Sequence, residues 1–300
     1  MKKSLIALAV LGASGAAMAQ SSVTLYGVAD VGLAKLQGVQ SQMSSAGLMN
    51  NGDSRLGVRG VEDLGGGLKA GFNFETGLTL ETGAQTAPNF WQRNANLWLG
   101  GNWGTFKMGR ALTPSFFGVA SWELTGAANY TVVGNTYGWA GAGSRNNSAF
   151  SYKTPDMGGF SAEVAYVTKP DNGGADKWDA NLMYANGPIG AALSANKVKG
   201  GQTNMALGGK YNFGSFVVAA SYQDAKDRGR RGFTLGGTAN MGAFSLTADL
   251  TRDTKNASGT KHTNVLLEGK YALSKRTFVY LAGLRLDKTN NYGLGVRHNF

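Results

Sequence analysis

In the stretch SRLGVRGVEDLGGGLKAGFNFETG, residues 54–77, Arg55, Gly57 and Arg59 fall on one face of an extended chain and Leu56 and Val58 on the other. A guanidinium stays charged and presents a rigid fork of donors that fits carboxylate or phosphate. That is the chemistry of recognition. Bond-making needs a nucleophile or a water activated by a positioned base, and the chain has only His262 and His298 and no cysteine. His262 falls at a loop edge and His298 beside the C-terminus. No metal-ligand spacing, phosphate-binding glycine loop or G-x-S-x-G turn occurs. Neither catalysis nor a cofactor is expected.

Arginines at every second step of a greasy strand must be held by an element with one wet and one apolar face. On a soluble sheet such a charge is simply a solvated face. On a strand against lipid it must point inward or sit at the rim, because an arginine at the bilayer midplane costs about 2–4 kcal/mol.

Composition favours the second setting. The sequence opens with MKK, the apolar run LIALAVLGASGAA and the small-residue site AMA, the pattern of a cleaved secretory signal over residues 1–19. The mature chain would run from Gln20 to Phe300 as one domain. No later stretch is long and apolar enough for a membrane helix. An exported chain without cysteine has no disulfides, so a core or a closed sheet must stabilise it. With 46 glycines and 5 prolines it is rich in turns. The net charge is +11, or +9 without Lys2 and Lys3. Its dispersed charges in an exported chain argue against nucleic acid and for anions as partners.

From residue 22 onward, stretches of about ten alternating residues recur, joined by tight turns (DLGGG, NWG, PDMGG, NGP, NFG, NMG, ALSK) on one side and longer polar segments on the other. This is the pattern of an outer-membrane barrel, and sixteen strands can be placed. SVTLYGVADVGL sets Val23, Leu25, Val31 and Leu33 against Thr24, Tyr26, Val28 and Asp30. A soluble β-sandwich would also alternate, but with fewer and less evenly spaced strands. The segment 111–145 is too long for a hairpin and is expected to be functional. Its only acid is Glu123, and it carries Phe116, Phe117, Trp122, Tyr130, Tyr137 and Trp139. Packing against the wall is the expected role of these aromatics, with a greasy track along the channel as the other. Tyr26, Trp91, Trp98, Tyr271, Tyr280 and Tyr292 fit interfacial girdles.

The motifs SSVTLYGVADVGL, SRLGVRGVEDLGGGLKA, GGNWGTFKMGR, RNNSAFSYKTPDMGGFS, YALSKRTFVY and GLGVRHNF, in this order, resemble the general trimeric porins of Gram-negative bacteria, in particular their β-proteobacterial branch. The resemblance covers essentially the whole mature chain. It implies an all-β, sixteen-stranded antiparallel transmembrane barrel, a homotrimer in outer-membrane lipid, with its third outer loop folded into the lumen. Residues 111–145 sit where that loop belongs. Phe300 matches the terminal aromatic read by the barrel-assembly machinery. Arg55, Arg110 and Arg145 match wall arginines at the narrow zone, and Arg93 a further wall position of the branch; alternation adds Arg59 and Lys107. Arg110 shares parity with Phe106 and Met108, and Arg93 with Leu97 and Leu99, so inward placement of Arg110 needs a bulge, at Gly109.

An arginine wall facing the lone Glu123 implies passive diffusion of small polar solutes with a preference for anions. A channel specific for phosphate or small organic acids is the alternative. Short outer loops near residues 81–88 and 200–202 disfavour an adhesive surface barrel.

Overall fold

The computed structural model describes residues 22–141 and 143–300. The expected signal segment and its cleavage site therefore lie outside the described residues. The alternating stretches form β1 (Ser22–Lys35), the short β2 (Gln42–Ser44), β3 (Arg55–Gly65), β4 (Leu68–Gly77), β5 (Asn94–Gly101), β6 (Gly104–Leu112), β7 (Arg145–Lys153), β8 (Phe160–Val167) and β9 (Lys177–Asn186). There follow β10 (Ile189–Val198), β11 (Asn204–Asn212), β12 (Phe216–Ala225), β13 (Arg230–Met241), β14 (Phe244–Asn256), β15 (Thr263–Ala272), β16 (Thr277–Leu286) and β17 (Thr289–Asn299). Sixteen of these are long, in keeping with the number read from the sequence.

From β3 to β17 each strand pairs antiparallel with the next. β1 closes the ring. One of its edges pairs with β3 over residues 22–28 and with β2 over 32–34, and the other pairs with β17 from Val28↔Asn299 to Lys35↔Tyr292. Phe300 extends this seam by exchanging backbone hydrogen bonds with Gly27. A closed sheet has no unpaired edge, the condition for β-structure in lipid. Among the described residues no helix is long and apolar enough to cross a membrane.

The alternation is inverted relative to a soluble protein. Outward positions are apolar and exposed: Leu25, Leu97, Leu182, Leu193 and Leu294. Polar residues of the same strands are buried: Asp30, Asn96, Asn181, Ser194 and Asn291. Lipid replaces the missing outer layer, and the buried interior is a lumen filled by polar side chains and an inserted loop.

That loop runs between β6 and β7 and contains two short helices that the sequence pattern did not announce, α1 (Pro114–Ala120) and α2 (Val132–Tyr137). Thr113 caps α1 by accepting from the Phe116 N–H at 3.0 Å, and Pro114 fixes its first turn. The loop is tied to the lumen wall by polar contacts. Asp179 accepts from the Ser115 N–H (2.8 Å) and hydroxyl (2.7 Å), while Asn181 donates to the Pro114 carbonyl. Across the lumen, Thr136 meets Thr251 at 3.0 Å, and the Tyr137 hydroxyl donates to the Arg252 carbonyl at 3.1 Å. Trp122, Tyr130 and Tyr137 are fully buried between loop and wall, the packing role expected of the loop aromatics.

Three of the expected girdle residues turn inward. Tyr26 donates to Asn73 (2.8 Å) and Glu75 (3.1 Å), Tyr280 is buried and donates to Asp30 (2.7 Å), and Trp98 lies over Gly71 on the lumen face. The two phenols find polar partners inside the barrel that lipid would not supply, whereas Tyr271 and Tyr292 remain exposed on the outer face.

The closing seam leaves no room at Gly32, paired with Gly295: a Cβ there would come 2.2 Å from the Leu294 carbonyl oxygen and 2.7 Å from the Gly295 Cα. Backbone atoms of a paired strand cannot move aside without opening the seam. Gly32→Ala is expected to destabilise the barrel by about 1–3 kcal/mol, read as earlier unfolding in a urea titration followed by gel mobility. Gly269→Ala, whose Cβ would make only ordinary contacts at 3.5 Å, should unfold with the wild type; equal midpoints for all three proteins would refute the seam argument.

Candidate functional site

The first outer segment also folds inward, because Asp30 organises it. Its carboxylate accepts from the Asn50 amide (3.1 Å), the Gly52 N–H (3.1 Å) and the Tyr280 hydroxyl (2.7 Å), and its backbone N–H donates to Ser54. This brings residues 46–53 down to the level of the long loop. Asn51 then donates to the Tyr130 hydroxyl at 2.7 Å, and Asn129 donates to Asp53 at 2.7 Å. Burial and the nearby Glu268 carboxylate hold the Tyr130 phenol well above its usual pKa, so it stays a donor, bonded to Glu268 at 2.5 Å.

Between these segments and the wall lies a cavity of about 540 Å³. Arg55, Arg93, Arg145 and Arg297 line its barrel side with Asp53 and Glu75; Phe116, Ala128, Asn129, Asn135 and Trp139 are among those lining its loop side. Arg55 opens β3 and Arg145 opens β7, so the sheet fixes their backbones. Arg93 precedes β5 by one residue and lies outside the alternation that would have paired it with Leu97 and Leu99; no parity argument applies to it.

The guanidiniums are held close together by two acids. Arg93 donates from Nε to Glu75 (2.7 Å) and from Nη1 to Asp53 (2.5 Å), and Arg55 approaches Glu75 at 3.6 Å. Arg145 rests its Nε on the Arg93 carbonyl at 2.8 Å and bonds Ser144, and Arg297 donates to Asn51 at 2.9 Å. Among the described residues no carboxylate lies within ion-pair distance of Arg145 or Arg297. Asp30, just behind the lining, acts electrostatically on Arg297, so four guanidiniums face three carboxylates and the positive charges remain in excess.

Arg55, Arg93 and Arg145 are thus brought together; Arg110, Arg59, Lys107 and Glu123 do not line this cavity. A bulge does occur between Gly109 and Ala111, yet Arg110 donates to the Gln92 carbonyl and to Asn147. Arg59 shares the lumen parity of Arg55 four residues further along β3 and stacks over the Tyr26 ring at 5.2 Å. Lys107 sits 3.8 Å from the buried Glu163. Glu123 is turned into the loop: its carboxylate accepts from the Thr125 N–H (3.0 Å) and hydroxyl (2.6 Å), the Ala127 N–H (2.8 Å) and the Thr131 hydroxyl (2.6 Å). A carboxylate wrapped by four donors is a scaffold for the loop, and the acids that face the arginines are Asp53 and Glu75. Arg297 was missed by the motif reading, though in GLGVRHNF it falls opposite Leu294 and Val296, the signal that marks Arg55.

The model of the Gram-negative porin family matches residues 4–298. The chain belongs to that family. It is 36% identical over 328 residues to outer membrane porin protein 32 of Delftia acidovorans, covering 99% of this chain and 93% of that protein. It is 28% identical to an outer membrane porin protein of Bordetella pertussis, with 100% of both chains covered. Among solved structures, the anion-selective porin from Comamonas acidovorans superposes with a TM-score of 0.79 and 28% identity, over 94% of this chain and 100% of that one. The porin is a β-barrel channel of the Gram-negative outer membrane, and its barrel supplies a walled path with no bond chemistry.

Because four donors converge on Glu123, Glu123→Ala in this porin should loosen the inserted loop, leaving buried donors unpaired at about 1–3 kcal/mol each. Single-channel recordings should show increased open-channel noise, and Glu123→Gln, which keeps an acceptor, should lie between. Quiet recordings from the alanine variant would count against the scaffold role.

Proposed function

We propose that this porin is a passive, anion-preferring diffusion channel, with residues 111–145 as its constriction loop and Arg55, Arg93, Arg145 and Arg297 as the wall that sets its preference. The observation that carries the reading is the excess of guanidiniums over carboxylates in a single cavity between loop and wall. In a narrow, low-dielectric passage such an excess raises the local anion concentration and opposes cations. The acids limit the effect without cancelling it: Arg93 is shared between Asp53 and Glu75 and Arg297 feels Asp30, while Arg145 is held by a backbone carbonyl and keeps its charge for the solute. Similarity to a porin described as anion-selective supports the same reading.

The working unit is a homotrimer whose interface is drawn from the apolar outer face of the barrel, and Phe300, at the end of the closing seam, is the residue read during insertion. The motif resemblance supports both.

Reversal potentials of the purified porin in planar bilayers across a KCl gradient test the reading: chloride should permeate better than potassium, and cation preference would sink it. Arg145→Gln should lower the chloride-to-potassium permeability ratio, and Arg55→Glu should lower it further while the barrel still inserts; an unchanged ratio in both would remove the arginine wall from the mechanism. The preference should also shrink on raising the salt about tenfold, from about 0.1 M to about 1 M, as the Debye length falls from about 10 Å to about 3 Å. A ratio independent of salt would indicate that size, and not charge, discriminates.

A further inference from the structure

The loop side of the arginine cavity is not an inert wall. Phe116, on the first turn of α1, and Trp139, beyond the end of α2, both line it, with ring centroids 4.6 Å apart and planes tilted by 53°. Both residues are half-buried, unlike Trp122, Tyr130 and Tyr137 on the same loop, which are fully buried.

The backbone bends sharply to present Trp139. Tyr137 ends α2 pointing into the wall, and residues 138–141 then adopt left-handed conformations in succession, including the non-glycine Trp139 (φ 57°) and Ala140 (φ 53°). Such a conformation is uncommon for a bulky residue and is a cost that the surrounding structure must offset. The turn lays the indole over Gly134, where a Cβ would come within 2.9 Å of it, and against Phe116. Gly134 is thereby the seat of the ring: a side chain at that position would lift the indole off α2.

Arg145, with no carboxylate within ion-pair distance among the described residues, lines the same cavity as this ledge. Arg145 opens β7 and is paired across the sheet with Leu112, four residues before Phe116, and both Arg145 and Phe116 line the cavity. A carboxylate takes a guanidinium bidentately, and a flat ring stacks offset or edge-on against tryptophan and phenylalanine. An inorganic anion uses only the first of these contacts, and an aliphatic acid gains no ring geometry from the second.

We propose that the constriction carries a subsite for planar aromatic carboxylates, with Arg145 taking the carboxylate and Trp139 and Phe116 the ring. The subsite rests on the anion-preferring reading and narrows it to a solute class. Its occupancy is brief, since a channel must release what it admits.

The test measures block of the chloride current through the purified porin in planar bilayers by benzoate, cyclohexanecarboxylate and acetate, added as potassium salts at neutral pH. Benzoate should half-block at a concentration about two- to tenfold below that of cyclohexanecarboxylate, the margin of a ring–ring contact, with acetate weakest. Trp139→Leu and Phe116→Leu, which keep apolar bulk, should each bring the benzoate-to-cyclohexanecarboxylate ratio toward one. The ratio is internal to each variant, so a change in basal conductance does not confound it, and Phe116→Leu, on ordinary helical backbone, decides the matter if Trp139→Leu does not insert. Equal block by the two ring acids in wild type, or a ratio unchanged in the variants, overturns the aromatic subsite while leaving anion preference standing. Cation preference in the KCl gradient overturns the anion reading and the subsite with it.

Discussion

A backbone N–H or C=O facing hydrocarbon has no water to bond, and each one left unpaired costs several kcal/mol. The fold follows from satisfying that constraint with strands. The sheet closes through β1 and β17, its outer face is apolar, and the polar residue at each alternate step is delivered to the lumen. A polar lumen can hold a loop by hydrogen bonds alongside the small buried apolar cluster that Val119, Trp122, Val132 and Val133 make with Leu266 and Leu284. Asp179, Asn181, Thr251 and Glu268, all buried wall residues, each meet the inserted loop. The channel's narrow part is therefore a by-product of the membrane constraint, put to use.

Crowding arginines has its own cost, and the two acids of the cavity answer it. Like charges a few ångströms apart repel strongly once water is partly excluded. Glu75 lies between Arg55 and Arg93, and Asp53 between Arg93 and Asn129 of the loop. The acids hold side chains that would otherwise swing apart, and Asp53 couples the wall to the loop. The remaining guanidiniums are steadied by neutral acceptors: Arg145 by a backbone carbonyl and a hydroxyl, Arg297 by the Asn51 and Asn299 amides. Neutral acceptors fix a guanidinium in place without neutralising its charge. This division between acids that position and arginines that attract explains how the cavity remains electropositive and ordered together.

The barrel was legible because its period is the simplest in proteins: two residues per repeat, apolar against lipid, punctuated by glycine-rich turns. Arg55 could be placed by that rule alone. Arg93 could not, lying just before its strand, and for Arg110 the observed bulge alone does not determine which way its side chain leaves. Glu123 misled for a different reason. It is the lone acid of its loop and so the natural candidate to face the wall, but the neighbouring Thr125, Ala127 and Thr131 donate to it. The acids that do meet the arginines, Asp53 and Glu75, are contributed by other segments. Contacts between segments far apart in sequence leave no periodic trace, and the two helices of the loop are each too short to show one.

The loop aromatics show how one sequence signal divides into two roles. Tyr130 and Tyr137 commit their hydroxyls to Glu268 and to backbone carbonyls, and Trp122 lies over Gly208; these rings anchor the loop. Phe116 carries no polar atom with which to bond the wall, and Trp139, past a left-handed turn, rests one face on the buried cluster of the loop while also lining the cavity. Rings that line the cavity, one of them on strained backbone, are placed where a solute can meet them. A charged wall alone draws every anion in proportion to its charge. An aromatic ledge opposite it adds a contact that depends on shape, and does so with an energy small enough that the solute still leaves.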